Sequence, residues 1–268
     1  MKINNEWKDF EVLATGGGKK LERWGNITLL RPDPQVIWPA KFDLKNFKGL
    51  NAHYIRENTG GGHWEKLKLF PEQWQVGWRN LKFSIKPMGF KHTGLFPEQA
   101  VNWAKMIDLI ESSKREIKVL NLFAYTGGAT VACASAGASV THVDAAKNMV
   151  ERAKENLNLS GLSNAHVRFI VDDCKKFVER EIRRGNKYDA IIMDPPSYGR
   201  GPSGEVWKIE DSIFDFVSLC CQVLNDNPLF VLINSYTTGL QPTVMQNILK
   251  LNCDKFNKKF NNLEAYEV

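Results

Sequence analysis

The chain has 268 residues, of which 43% are apolar and 25% charged, with a formal net charge of +6. That length allows one large domain or two smaller ones, and the apolar share is enough for a proper core. No apolar run approaches the ~18 residues of a transmembrane helix, and the start, MKINNEWKDFE, does not read as a signal peptide. Five cysteines with no C-x-x-C pair argue against a zinc site and fit reduced thiols in a cytoplasmic protein.

Residues 1–113 hold 17 Lys and Arg against 12 Asp and Glu, so most of the positive excess lies early in the chain. This points to a polyanionic partner, with a merely solvated surface as the plainer explanation. Residues 1–90 are rich in Trp, Gly and short alternating runs. Residues 10–13, the Gly16-Gly17-Gly18 turn and residues 21–30 predict a hairpin or meander. Residues 41–62 are turn-rich and carry no clear element. Residues 64–70, 74–79 and 81–85 predict three more strands. The whole reads as a small β-rich domain over 1–90, placed for recognition of RNA or another substrate. Its tryptophans, Trp7, Trp24, Trp38, Trp64, Trp74 and Trp78, read as packing groups. His53, His63 and His92 have no metal-ligand spacing, and no metal is expected.

The second domain, 91–268, alternates between strands and helices. A helix is expected from residue 97 or 98 to 112, with Pro97 near its first turn. Strands follow at 118–123, 139–143, 167–171, 188–193 and 229–234. Helices intervene at 128–136, 146–160, 173–184 and 208–224, and another covers 243–250. This alternation predicts an α/β, doubly wound, mainly parallel Rossmann-like sheet. The chain ends at LEAYEV, with room for one strand of the antiparallel pair that closes such sheets.

Residues 118–144 organise the second domain: a buried strand, the turn Ala124-Tyr125-Thr126-Gly127-Gly128, a helix of small residues, a second strand, then Asp144. The glycines let a ligand approach the backbone, and the helix N-terminus offers free N–H groups. An acid ending the second strand can accept from both hydroxyls of a ribose. A pyrophosphate dinucleotide would need G-x-G-x-x-G, and no third glycine stands at that offset. The turn therefore suits S-adenosylmethionine (SAM), a nucleoside without a pyrophosphate.

Two more acids follow strands, Asp173 and Asp194, and ligands in open parallel sheets sit at those strand ends. Asp173 can accept from the adenine amino group, with Cys174 beside the ring. Capping the next helix is the competing role, and Asp172 can exchange with it. In Asp194-Pro195-Pro196-Ser197-Tyr198 the prolines stiffen the turn and remove two N–H groups. Carbonyls and the Asp194 carboxylate remain as acceptors for a nucleobase amino group, and Tyr198 can stack on the base. Arg200 and Lys208 flank this pocket as candidate phosphate contacts.

In their order, NLFAYTGGAT, VDAAKNMVERAKENLNLSGL, FIVDDCKKFVERE and DPPSYGRG resemble the class I SAM-dependent methyltransferases. More narrowly they resemble the bacterial group related to large-subunit ribosomal RNA cytosine-5 methyltransferases. The likeness covers roughly residues 90–250. KHTGLFPEQAVNW is similar to the segment that in this group reaches toward the SAM pocket, which carries over Phe96 and Gln99. The resemblance implies a cofactor site of Phe96, Gln99, Asn121, Phe123, Ala124, Tyr125, Thr126, Gly127, Asp144, Ala145, Asp173, Cys174 and Asp194. It implies catalytic roles for Asp194, Pro195, Pro196 and Tyr198, and RNA, ribosomal RNA in particular, as substrate. Two departures stand out. Cytosine-5 chemistry needs a cysteine thiolate, yet residues 234–238 read Asn-Ser-Tyr-Thr-Thr, and Ser197 follows the prolines. Amino-directed relatives place an aromatic directly after the prolines, where Ser197 stands here. Methylation of a small molecule or a protein on the same fold, or binding of SAM or RNA without catalysis, are the alternatives.

Overall fold

The computed structural model describes residues 1–57, 61–89, 91–200, 206–237 and 239–268, with Arg200 described by its backbone alone. The chain forms two compact units, Asn4–Pro97, and Met1–Ile3 with Glu98–Val268.

The first unit is built on a five-stranded sheet in the order β1(Phe10–Gly16), β2(Lys19–Trp24), β3(Ile27–Pro32), β4(Ala52–Arg56), β5(Gly62–Lys66). Gly17 and Gly18 both have positive φ, 57° and 73°, in the two-residue loop between β1 and β2. Such a turn matches the right-handed twist of the strands it joins. A separate hairpin pairs β6(Trp74–Trp78) with β7(Leu81–Ile85). Trp24 and Trp78 are fully buried with Leu21, Leu29, Phe83 and Ile85. Trp38 departs from the packing expectation, at 50% exposed. The turn-rich stretch hides β4, whose parallel pairing with β3 is only two residues long, Leu29 with Ala52 and Leu30 with His53.

The second unit holds a five-stranded parallel sheet. Its strands are β8(Lys118–Leu122), β9(Ser139–Asp144), β10(Val167–Val171), β11(Ala190–Met193) and β14(Phe230–Ile233), in the spatial order β10-β9-β8-β11-β14. Helices α1(Ala100–Ser113), α2(Gly128–Ser135), α3(Lys147–Leu159), α4(Cys174–Arg184), α5(Ile209–Gln222) and α6(Pro242–Lys255) alternate with the strands. β8 and β11 are short apolar runs buried on both faces, the pattern of central parallel strands. Leu120, Leu122, Val143, Ile191 and Met193 pack on Phe177, Phe216 and Val217 of α4 and α5. The strand order reverses between β8 and β11, which places the ligand crevice at their carboxyl ends.

Two parts of this unit differ from expectation. Residues 198–208 were expected as a loop running into a helix. Within them β12(Tyr198–Arg200) and β13(Val206–Lys208) pair antiparallel before α5 starts. Residues 263–268, which leave room for one strand, form none. The Leu263 carbonyl instead accepts from Gln246 Nε2, the Glu267 carbonyl from the Lys2 N–H, and Tyr266 donates to Asn102 Oδ1. Among the described residues no helix is long and apolar enough to cross a membrane.

Candidate active site

The turn after β8 is strained. Phe123 and Tyr125 have φ of 53° and 50°, a region that side chains bearing a Cβ rarely adopt. Asp144, at the end of neighbouring β9, holds it: Oδ2 accepts from the Tyr125 N–H at 2.8 Å and Oδ1 from the Ala146 N–H at 2.9 Å. Burial raises the Asp144 pKa, and these two N–H donors oppose the shift. Each carboxylate oxygen has two lone-pair directions, so acceptor capacity for two further donors remains. The Ala124 N–H donates to the Val143 carbonyl, and Ala145 is exposed beside the turn.

The glycine pair serves packing. A Cβ on Gly127, at φ 81°, would lie 2.8 Å from Ala153 Cβ of α3. A Cβ on Gly128 would lie 2.6 Å from the Trp103 ring of α1. The missing side chains let α2 pack against α3 and α1. Thr126 is buried, and its carbonyl accepts from Asn156 Nδ2. Asn121 is likewise a support from below: it is 2% exposed, and its Nδ2 donates to Thr130 Oγ1, which also bonds His142 Nδ1.

Asp173 caps α4, accepting from the Lys176 N–H at 2.9 Å. Asp172 accepts from the Asp173 N–H and pairs with Arg180. Cys174 is 3% exposed and its sulfur accepts from the Phe123 N–H at 3.2 Å. It braces the strained turn from within the core, directly beneath the backbone where the sequence sets the adenine. Burial pushes its thiol well above the ordinary value, against the lowering that a helix start alone would give.

Asp194 follows β11 on the other side of the switch point. Among the described residues none hydrogen-bonds its carboxyl group. Burial, and then the charge of Glu98, push its pKa up to about 7. The loop after it is fastened from outside. Trp207 Nε1 donates to the Pro196 carbonyl at 2.6 Å, the Ile209 N–H donates to the Ser197 carbonyl, and the Ser197 and Thr237 hydroxyls meet at 2.6 Å. The Pro196 carbonyl is therefore engaged within the protein, which leaves Pro195 and Asp194 as the acceptors of this motif. Trp207, Phe123 and Phe216 form an aromatic cluster with centroids 5.3–5.5 Å apart.

Gln99 is buried and its carbonyl accepts from Asn102 and Asn234. Its Nε2 donates to the Tyr236 hydroxyl at 2.7 Å. Tyr236 was not expected at the site. Its hydroxyl end is enclosed and lies in the field of Asp194 and Glu98, which raises its pKa after burial, yet 48% of the residue is exposed. Tyr198 is 53% exposed and faces Lys208 across the β12–β13 pair. Lys208 is solvated and lies 3.8 Å from Asp211. The Arg200 side chain lies outside the described residues. Phe96 belongs to the Asn4–Pro97 unit, where its ring lies 5.2 Å from that of His92. Among the described residues no group of His, Cys, Asp and Glu could hold a metal ion.

Residues 51–210 match the model of the S-adenosylmethionine-dependent methyltransferases. The chain belongs to this family. A SAM-dependent methyltransferase of Agrobacterium tumefaciens shares its fold over 93% of the chain and 80% of that structure, at TM-score 0.88 and 35% identity. Among curated relatives, ribosomal RNA large subunit methyltransferase K/L of Shewanella frigidimarina is 33% identical over 218 residues, 80% of this chain and 28% of the relative. That of Syntrophotalea carbinolica is 30% identical over 183 residues, 68% of this chain and 25% of the relative. The chain thus spans about a quarter of the length of the curated relatives it matches. SAM is the cofactor of the family, and the residual acceptor capacity of Asp144 fits a nucleoside diol.

Proposed function

We propose that this methyltransferase acts on a base in RNA, ribosomal RNA in particular. The observation that carries the reading is Asp194: a desolvated carboxyl without an internal hydrogen bond among the described residues, whose charge reaches the Tyr236 hydroxyl and which shares one motif with Tyr198, both tyrosines being half-exposed. A group with a pKa near 7 can accept from a base amino group or donate to a ring nitrogen. Aromatic faces suit a flipped or single-stranded base. The names of the curated relatives support ribosomal RNA as the acceptor.

In this reading Asp144 takes the ribose, while the turn Phe123, Ala124, Tyr125, Thr126 and Gly127, with Ala145, lines the cofactor pocket. Bound SAM supplies an electrophilic methyl on a sulfonium. Asp194 and the Pro195 carbonyl orient the acceptor, Pro196 keeps that turn stiff, and Tyr198 and Tyr236 hold the base face. Gln99 fixes Tyr236. Alignment and fixed dipoles then supply the rate, without a covalent enzyme adduct. Lys208 and Arg200 are assigned to phosphates next to the target base. Tritium transfer from labelled SAM to separated RNA, protein and metabolite fractions tests the proposal. Label in ribosomal RNA is expected, and label confined to protein or metabolites would overturn it.

A further inference from the structure

We propose that Lys20, Arg56 and Lys91, with Arg31 behind them, form a binding site for the RNA phosphodiester backbone on the Asn4–Pro97 unit. This rests on the reading of the acceptor as RNA. The unit holds 15 Lys and Arg against 9 Asp and Glu, so it carries the whole formal +6 of the chain.

The sheet gathers part of that excess in one place. Lys20 and Arg31 are direct partners in the β2–β3 register, where like charges repel. Arg56 ends β4, the next strand. Lys91 arrives on the loop that follows β7. That loop is closed by Lys86 N–H to the Thr93 carbonyl at 2.9 Å and Met88 N–H to the His92 carbonyl at 3.2 Å. Trp64 Nε1 donates to the Met88 carbonyl at 2.8 Å and the Tyr54 hydroxyl to the Gly89 carbonyl at 3.3 Å, which pins the loop to β4 and β5. Arg31 Nη1 donates to the Lys91 carbonyl at 3.2 Å.

Among the described residues, Glu22 and Asp33 face these four cations. Glu22, 1% exposed, accepts from Arg31 at 2.6 and 2.8 Å and lies 3.6 Å from Lys20. Asp33 lies 3.3 Å from Lys20. Burial lowers the Lys91 pKa. Asp33 opposes the shift, and Arg56, Lys20 and Arg31 add to it. Burial, then Arg31, Lys91 and Lys20, push His92 down to about 4, so it stays neutral. Among the described residues, buried His92 Nδ1 and Thr93 Oγ1 make no hydrogen bond. Cations crowded together, with Lys20 and Lys91 half-buried and Arg56 exposed, are relieved by an added anion. A phosphodiester supplies both the charge and the oxygen acceptors. Lys20, Arg56 and Lys91 reach solvent, whereas the Arg31 side chain is 7% exposed and acts through its field and its hold on the loop.

The test is RNA binding by the full chain at several salt concentrations, with a ribosomal RNA fragment as probe. Lys91→Gln and Arg56→Gln are expected to weaken binding several-fold and to lower the slope of log K against log salt by about 0.7–0.9 each. SAM affinity should be unchanged. Lys82→Gln on β7 removes the same charge elsewhere in the unit, and its slope should stay near that of the parent. If the two cluster variants match Lys82→Gln while the parent binds RNA, the site is overturned alone. If the parent binds no RNA, the reading of the acceptor falls and the site falls with it.

Discussion

Asp144 and Tyr125 are joined across the first two strands of the parallel sheet: the Tyr125 N–H donates to Asp144 Oδ2 at 2.8 Å. One carboxylate thus holds a turn whose Phe123 and Tyr125 both have positive φ, and keeps acceptor capacity for a ligand. Losing a hydrogen bond to a charged group costs roughly 1.5–3 kcal/mol. Asp144→Ala should therefore weaken SAM by about tenfold or more and loosen the turn as well. Titration calorimetry showing parental SAM affinity would remove Asp144 from the site.

The same turn depends on Gly127 for packing. Gly127→Ala would force an L side chain to φ 81° and set its Cβ 2.8 Å from Ala153 Cβ. Left-handed strain alone costs roughly 1–2 kcal/mol, and the close approach adds to it. Gly137 has a similar φ of 86° but open space around it, so Gly137→Ala should show the strain term alone. Urea unfolding of the two variants separates strain from clash. Equal losses would mean that α3 gives way freely.

The strands of the second unit were legible because parallel strands buried on both faces are continuous apolar runs, as in residues 190–193. The acids that follow them were legible for the same reason. What the sequence does not display is partnership at long range. Gln99 and Tyr236 are 137 positions apart, and neither carries a local pattern that announces the other. The β12–β13 hairpin has three-residue strands and no alternation long enough to read. The glycine pair was seen, but its reason was not, since Ala153 and Trp103 approach it from other helices. Asp173 takes the capping role that the sequence offered as its alternative, whereas the burial of Cys174 follows from packing that composition does not encode.

Asp194 combines function with a stability cost. Its folded pKa of about 7 stands above the ordinary carboxylate value of 3.8. The folded state therefore holds the proton more tightly than the unfolded one. The stabilisation this gives is fully present below the unfolded value and is lost as pH rises through about 7. Asp194→Asn removes the cost of the buried charge and should stabilise the fold above pH 7, by roughly 3–4 kcal/mol at most. The same variant should lose most methyl transfer. Melting curves at pH 5 and pH 8 check the first part: the gain should appear at pH 8 and shrink at pH 5. A variant destabilised at both values would show that the Asp194 carboxylate is held by the protein after all.

The last prediction concerns the route of transfer. All five cysteines are buried, at positions 133, 174, 220, 221 and 253. Burial raises Cys133 to about 12 and pushes Cys174 and Cys220 upward as well. Cys253 is the one thiol shifted downward, and it owes this to a hydrogen bond with Cys221 between α5 and α6. A nucleophile for covalent attack on a pyrimidine must be an accessible thiolate. None of these is one, so the methyl should pass directly to a lone pair of the acceptor. Cys174→Ser should keep methyl transfer, with a stability loss of about 1–2 kcal/mol where the sulfur packs. RNA containing 5-fluorocytosine should fail to trap the protein in denaturing gels. A trapped adduct that Cys174→Ser abolishes would mean that the turn opens far enough to expose the sulfur, and cytosine-5 chemistry would then replace direct transfer.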